Sequence, residues 1–285
     1  MYPKTIRANN LDFAYHEAGS GEKVIFCFHG FPDTADTWRD LMPVLAEQGY
    51  RVIVPFMRGY PPTEIPADKH YSSKHLGEDI IGLLDAFEIQ SAIVIGHDWG
   101  ALASYSAVAL APERFQKLIT VAIPHPRALR FDLQTLIKAR HFLTFQQRGS
   151  SVRWMKRNNY AAIGQIFRRW SPNWQFTETD VAPVREAFSQ TGATEAALGY
   201  YWSFWEQRDN PEIQKLNRAK APVPTLSLFG DADGAMTMRS LERTASAFTG
   251  EYKQVIFPNV GHFLHREIPD RFAEEVLAFL GVQTG

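Results

Sequence analysis

The sequence predicts an α/β protein: a mostly parallel sheet with helices on both faces and one long helical insertion. Three observations carry this. From Lys23 to Ile123, short apolar runs of strand length alternate with segments of helical period. From His125 to about Arg218 that alternation stops, and the text turns rich in aromatics and arginine with helical periodicity alone. It resumes at Val223 and runs to the C-terminus.

Residues 4–18 alternate apolar and polar, as a short β-hairpin does. Lys23–Phe28 is a continuous apolar run, which suits a strand covered on both faces. Thr37–Gln48 has helical period, Arg51–Pro55 reads as a buried strand, and His75–Phe87 spaces its apolar residues three and four apart, as a helix requires. Ala92–Gly96 is a strand, Ala101–Leu110 a helix and Lys117–Ile123 a strand. After the interruption come a strand in residues 223–230, a helix over Leu241–Phe248, a strand over Tyr252–Phe257 and a closing helix over Phe272–Leu280. The interruption, roughly ninety residues, is far longer than an ordinary connection. Inserted at the carboxyl end of a parallel strand, it would overhang the place where open α/β sheets bind ligands. It therefore reads as a lid.

Composition narrows the function classes. Of 285 residues, 45% are hydrophobic and 21% charged, which suits a globular chain with a sizeable core. Thirty basic against 31 acidic residues leave a net charge of −1, so bulk charge points to no nucleic-acid or anionic-membrane partner. The lone Cys27 lies in the apolar stretch VIFCFHG and has no partner for a disulfide. No Cys/His cluster has zinc-ligand spacing. Neither a signal peptide nor an apolar run approaching ~20 residues is present. The expected setting is cytoplasmic.

The stretch IVIGHDWGALASYSA is a strand, a G-x-D-x-G turn and a helix, the context of a nucleophile elbow. Gly96 and Gly100 let the chain turn sharply and the helix pack on the strand. Asp98 is thrust out at the top of the sheet, beside a helix N-terminus that favours negative charge. A helix N-cap is the alternative role for this aspartate. His29-Gly30-Phe31-Pro32 follows the earlier strand, so the amides of Phe31 and Trp99 could together hold an oxyanion. Gly230-Asp231-Ala232-Asp233 follows the next-to-last strand and Val260-Gly261-His262 the last. The chain order is nucleophile, acid, histidine.

The whole chain resembles the α/β-hydrolase superfamily. HGFP, Arg58-Gly59-Tyr60, GHDWG and GHFLHRE resemble its epoxide hydrolase and haloalkane dehalogenase branch. The resemblance implies an α/β-hydrolase fold: a mostly parallel eight-stranded sheet flanked by helices, with a core of residues 1–124 and 219–285 and a helical cap of residues 125–218. The usual spacing from the glycine favours Asp233 over Asp231 as the acid. His265 competes with His262 but lies on the helical side of GHFLHREIP, which favours His262.

An aspartate nucleophile selects the chemistry. At an sp³ carbon, serine would form an ether that water does not readily release. Aspartate forms an ester, and water activated by His262 can attack the ester carbonyl. Asp98 is already ionised at neutral pH, with an ordinary pKa near 3.9. It needs no base for the first step, so His262 serves mainly the second. Epoxide opening and carbon–halogen displacement fit this logic; esterase, lipase and peptidase chemistry do not.

The leaving group divides those two reactions. An opening epoxide needs a proton or strong donors; a halide needs diffuse ones such as indole N–H groups. Epoxide hydrolases carry two lid tyrosines, one before an x-x-x-F-Q run and one in a pattern like L-x-Y-Y-R. Here Leu198-Gly199-Tyr200-Tyr201-Trp202 supplies Tyr201, with Trp202 in place of the arginine. The run before Phe145-Gln146 begins with His141 where tyrosine is expected. A His/Tyr pair resembles the subgroup of the bacterial cystic-fibrosis-related inhibitory factor. That subgroup's acid is a glutamate after the preceding strand. Residues 121–124 carry no carboxylate here, which leaves Asp233. With an ordinary pKa near 6.5, a donating His141 would weaken activity at alkaline pH. A satisfied lid histidine is the alternative role.

Halide chemistry keeps some support. Trp99 follows the nucleophile, and Trp154, Trp170, Trp174, Trp202 and Trp205 are lid candidates, but Phe31 stands where dehalogenases carry asparagine. Fluoroacetate dehalogenases clamp a carboxylate with arginines where this chain has Trp99 and Leu102. Some relatives only bind ligands, though binding alone does not require a nucleophile–acid–histidine set. The reading is an epoxide hydrolase taking a small apolar epoxide and water, with Phe142, Phe145 and Tyr200 lining the substrate pocket. No metal or organic cofactor is implied, and a monomer or homodimer is expected.

Overall fold

The computed structural model describes residues 3–129, 137–138 and 140–282. Residues 130–136 and 139, part of the expected insertion, lie outside the described residues. Eight strands form one sheet in the order β1-β2-β4-β3-β5-β6-β7-β8. They are β1 (Lys4–Ala8), β2 (Leu11–Ala18), β3 (Lys23–Phe28), β4 (Tyr50–Pro55), β5 (Ala92–His97), β6 (Phe115–Val121), β7 (Thr225–Gly230) and β8 (Tyr252–Phe257). The first hairpin pairs antiparallel and everything from β4 to β8 pairs parallel. All six residues of β5 and all six of β7 are buried, as central parallel strands must be when helices cover both faces.

Alternate residues of each strand feed two cores. Phe26, Phe28 and Val94 face α2 (Ser73–Ala86) and α3 (Trp99–Leu110). Ile25, Cys27, Ile93 and Ile95 face α1 (Leu41–Glu47) and the closing helix Pro269–Leu280. Between β6 and β7 the described residues include the helices α4 (Arg140–Gln146), α5 (Arg148–Trp170, broken at Arg157–Tyr160), α6 (Glu178–Ser189), α7 (Ala193–Glu206) and α8 (Pro211–Arg218).

Two expected helices come out differently. Thr37–Gln48 divides into a 3-10 turn at Ala35–Trp38 and α1 from Leu41. Pro43 lacks an N–H and is tolerated only in a first turn, so the helix restarts two residues before it. Leu241–Phe248 becomes two 3-10 turns, Met238–Leu241 and Thr244–Ala247. Here the Thr244 hydroxyl donates to the Ser240 carbonyl at 3.0 Å and the Ser246 hydroxyl to the Arg243 carbonyl at 2.7 Å, local bonds that compete with a continuous helix.

One buried ion pair shapes the floor under α7. Arg58 donates through Nε and Nη2 to the two oxygens of Asp79, both at 2.5 Å, and through Nη1 to the His70 carbonyl at 2.7 Å. The Arg58 carbonyl in turn accepts from the Tyr200 hydroxyl at 2.7 Å. Asp79→Ala leaves a buried, uncompensated guanidinium and should cost about 3–5 kcal/mol. Urea unfolding of the variant against wild type measures it.

Candidate active site

Asp98 sits between β5 and α3 with φ 51° and ψ −116°, a conformation that costs about 1–3 kcal/mol for a residue with a Cβ. The surroundings enforce it. The Asp98 amide donates to Val121 of β6 at 3.2 Å, and its carbonyl accepts from Ala101 and Leu102 as α3 begins. A Cβ on Gly100 would lie 2.3 Å from the Phe28 carbonyl oxygen, and one on Gly30 would lie 2.5 Å from Asp98 Oδ1. The carboxylate does not cap α3. Instead Oδ1 accepts from the Phe31 amide at 2.8 Å, and Oδ2 lies 3.5 Å from His262 Nε2. Trp99 is the first residue of α3, so its amide is among the helix's unpaired N-terminal donors.

His262 Nδ1 donates to Asp233 Oδ2 at 2.8 Å. Asp233 is held through its other oxygen, which accepts from the amides of Ala235 at 2.6 Å and Met236 at 2.9 Å. Asp231 is elsewhere, accepting from the Asn259 amide in the turn below. His265 turns away: it lies 2.6 Å from the Thr37 hydroxyl and stacks on Trp38. Burial alone opposes charge on His262, but the Asp233 carboxylate, its hydrogen bond and Asp98 outweigh it and raise the imidazole to about 10. Burial alone would raise the pKa of Asp98; His262, His97 and the Phe31 amide hold it below its ordinary value.

The helices after β6 close over this group. Asp98, His262, Tyr201 and His141 are 7%, 0%, 1% and 5% exposed. The Tyr201 ring lies 5.1 Å from both Phe31 and Trp99 and 5.8 Å from His141. Burial, with the charge of Asp98, keeps its phenol protonated far above the ordinary range. Phe142 and Phe145 pack on Tyr201 at 5.0 and 4.9 Å. Tyr200 departs from the expected pocket role: its hydroxyl is taken by Arg58, and its ring stacks on Tyr71 behind Trp99. His141 departs in its charge. Burial pushes its pKa down to about 3, against the pull of Asp98, so the ring is neutral from mildly acid pH upward. The expected alkaline loss therefore does not follow from this residue. Its Nδ1 is buried without a hydrogen-bond partner.

Residues 23–267 match the family described as the α/β hydrolase fold. An epoxide hydrolase from Caballeronia sordidicola is 45% identical, over 96% of this chain and 92% of its own length. The chain belongs to the epoxide hydrolase family. Within that family, Epoxide hydrolase A of Mycobacterium tuberculosis is 29% identical over 97% of this chain and 96% of its own. The crystal structure of Epoxide Hydrolase A from Mycobacterium thermoresistibile superposes with a TM-score of 0.87 at 25% identity, covering 99% of both chains.

Two features of this epoxide hydrolase family member escape sequence reasoning. Trp202, at the position of the family's usual arginine, donates its indole N–H to the Phe145 carbonyl at 2.7 Å, while Gln146 donates to the Tyr201 carbonyl at 2.8 Å. The helices bearing His141 and Tyr201 thus hold each other. Of the five tryptophans between β6 and β7, Trp170 comes nearest the histidines, its ring 4.8 Å from His141 and 5.0 Å from His262. Its indole nitrogen is buried without a partner. No local pattern distinguishes Trp170 from the other four; the break in α5 and the return of the chain to β7 decide it.

Among the described residues no helix is long and apolar enough to cross a membrane.

Proposed function

We propose that the protein hydrolyses epoxides to vicinal diols through an aspartyl ester. An Asp98 carboxylate oxygen attacks an epoxide carbon, and the ring C–O bond breaks as the C–O ester bond forms. Tyr201 and neutral His141 donate to the oxygen that becomes the alkoxide. Water then attacks the ester carbonyl, and His262 takes its proton while Asp233 holds the imidazole. The Phe31 and Trp99 amides stabilise the tetrahedral oxyanion, whose collapse releases the diol and restores the carboxylate. On this reading residues 125–218 cap a core of residues 1–124 and 219–285.

The observation that carries the reading is the carboxylate of Asp98 itself, turned from its helix toward the His262–Asp233 pair. The electrostatics support a division of labour. Two carboxylates hold the resting histidine charged. Esterification removes one of those charges, so the imidazole pKa falls; its proton passes through solvent to the alkoxide formed in ring opening, and the neutral ring is then the base that the second step needs. The walls, with Phe31, Phe142, Phe145 and Trp99 around Tyr201, favour an apolar aryl or alicyclic epoxide.

A second reading, carbon–halogen hydrolysis, draws on the unpartnered indole of Trp170. One assay separates the two: styrene oxide and 1,2-dibromoethane are offered in parallel, and diol and bromide are measured. Diol without bromide is expected. In the same assay Tyr201→Phe should lower kcat/KM on styrene oxide about 10²–10³-fold. Bromide without diol would move the assignment to the halide reading.

A further inference from the structure

The end of helix α5 packs its Trp170 ring on His141 and His262, and its backbone and the Ser171 side chain hold the loops that carry both the acid and the histidine. The Trp170 carbonyl accepts two amides, Gly234 N–H and His262 N–H, each at 3.0 Å. One atom therefore registers the residue after Asp233 against His262. The next residue continues the grip: the Phe263 amide donates to Ser171 Oγ at 3.0 Å, and the Ser171 hydroxyl donates to Glu267 Oε1 at 2.5 Å. Glu267 accepts the remaining amide of the loop, Gly261 N–H, at 3.0 Å to both oxygens. The three successive amides Gly261, His262 and Phe263 are thus all bound by this turn and one carboxylate. On the far side, His97 Nε2 donates to the His262 carbonyl at 3.1 Å.

The approach is close enough to demand glycine in both loops. A Cβ on Gly261 would lie 2.4 Å from Ser171 Cα, and one on Gly234 would lie 1.9 Å from the Arg169 carbonyl oxygen. Lys138 also donates to the Asp233 carbonyl, and Arg169 Nη2 to the Lys138 carbonyl at 2.9 Å. These bonds fix backbone, and so the origin from which the imidazole swings. His262 Nε2 stands 3.5 Å from Asp98 Oδ2, and small displacements there change reach to a water at the ester carbonyl.

We propose that Ser171 and Glu267 are positioning residues for the hydrolytic half-reaction, acting through the backbone of His262. This rests on the aspartyl-ester reading above. Alkylation of Asp98 does not use His262 as a base, so loosening the clamp slows the second step and spares the first. The kinetic signature is specific. When ester hydrolysis slows, kcat and KM fall together and kcat/KM stays constant, because kcat/KM reports only steps up to ester formation. A purely structural role would instead reduce the fraction of active enzyme, lowering kcat at constant KM.

The test compares wild type, Ser171→Ala, Ser171→Thr and Glu267→Gln on styrene oxide, with His262→Ala as the reference for a blocked second step. Intact-protein mass is followed after rapid quenching, and each variant's fold is checked by thermal melting. For Ser171→Ala and Glu267→Gln, kcat and KM should both fall about 10–100-fold, with the ester adduct accumulating at steady state. Ser171→Thr, which keeps the hydroxyl, should restore kcat to within a few-fold of wild type. Wild-type kinetics, or a lower kcat at unchanged KM with no adduct, would overturn the clamp while His262→Ala still traps its ester. Absence of adduct in His262→Ala itself would bring down the ester mechanism, and the clamp with it.

Discussion

Replacing Asp98 with asparagine is expected to reduce diol formation by about 10⁴–10⁶-fold, the scale on which removing a nucleophile acts. The substitution is nearly isosteric. An amide oxygen can still accept from the Phe31 amide, now 2.8 Å from Oδ1, and the Gly30 and Gly100 approaches are unchanged. What disappears is the charge, and with it the lone pair able to open an epoxide at neutral pH. No mass adduct should appear on soaking with styrene oxide. Diol at even a tenth of the wild-type rate would mean that another group attacks. The same variant reports on His262. With one of its two carboxylate neighbours neutral, the imidazole should titrate below its resting value of about 10. The sign for stability follows from linkage. A histidine raised from 6.5 contributes stability that is fully present below pH 6.5 and is lost as pH rises through about 10. In Asp98→Asn the loss should still begin near pH 6.5 but be smaller and complete at lower pH, which melting temperatures across pH 6–10, set beside imidazole titration by NMR, will read.

Replacing His262 with alanine is expected to stop the enzyme after its first step. Alkylation should continue, because Asp98 needs no base, and the protein should gain the mass of one substrate molecule. Steady turnover should fall about 10²–10⁴-fold, the contribution of a positioned general base. His265 does not offer a substitute: its ring is stacked on Trp38 and lies beside the Thr37 hydroxyl. An alanine variant that turns over freely without an adduct would remove His262 from the second step.

The local readings succeeded where the physical signal is itself local. Short continuous apolar runs at 23–28 and 92–96, bounded by turn residues, suit strands covered on both faces, and β3 and β5 are such strands. The Gly-x-Asp-x-Gly spacing allows a tight strand-to-helix turn, because a Cβ at Gly96 would meet the Gly100 backbone across the turn and one at Gly100 would meet the Phe28 and His29 carbonyls at the end of β3. Boundaries failed where a competing local bond outweighed the apolar period, as in the serine- and threonine-rich 238–247 stretch, or where one proline restarted a helix.

The site divides in the same way. The amino-acid sequence by itself determined the α/β-hydrolase fold, the elbow that exposes Asp98 and the choice of aspartate over serine, because each depends on residues within a few positions of one another. Only the tertiary structure sets Asp233 rather than Asp231 against His262, and His262 rather than His265 beside Asp98, since the other residue of each pair is drawn off by a partner distant in sequence, the Asn259 amide or the Thr37 hydroxyl. It also turned Tyr200 to the Arg58 carbonyl, drove the charge off His141 by burial, and brought Trp170 and Ser171 against the loops of Asp233 and His262. Those outcomes depend on burial and on contacts across β7, β8 and α5, which no spacing along the chain records.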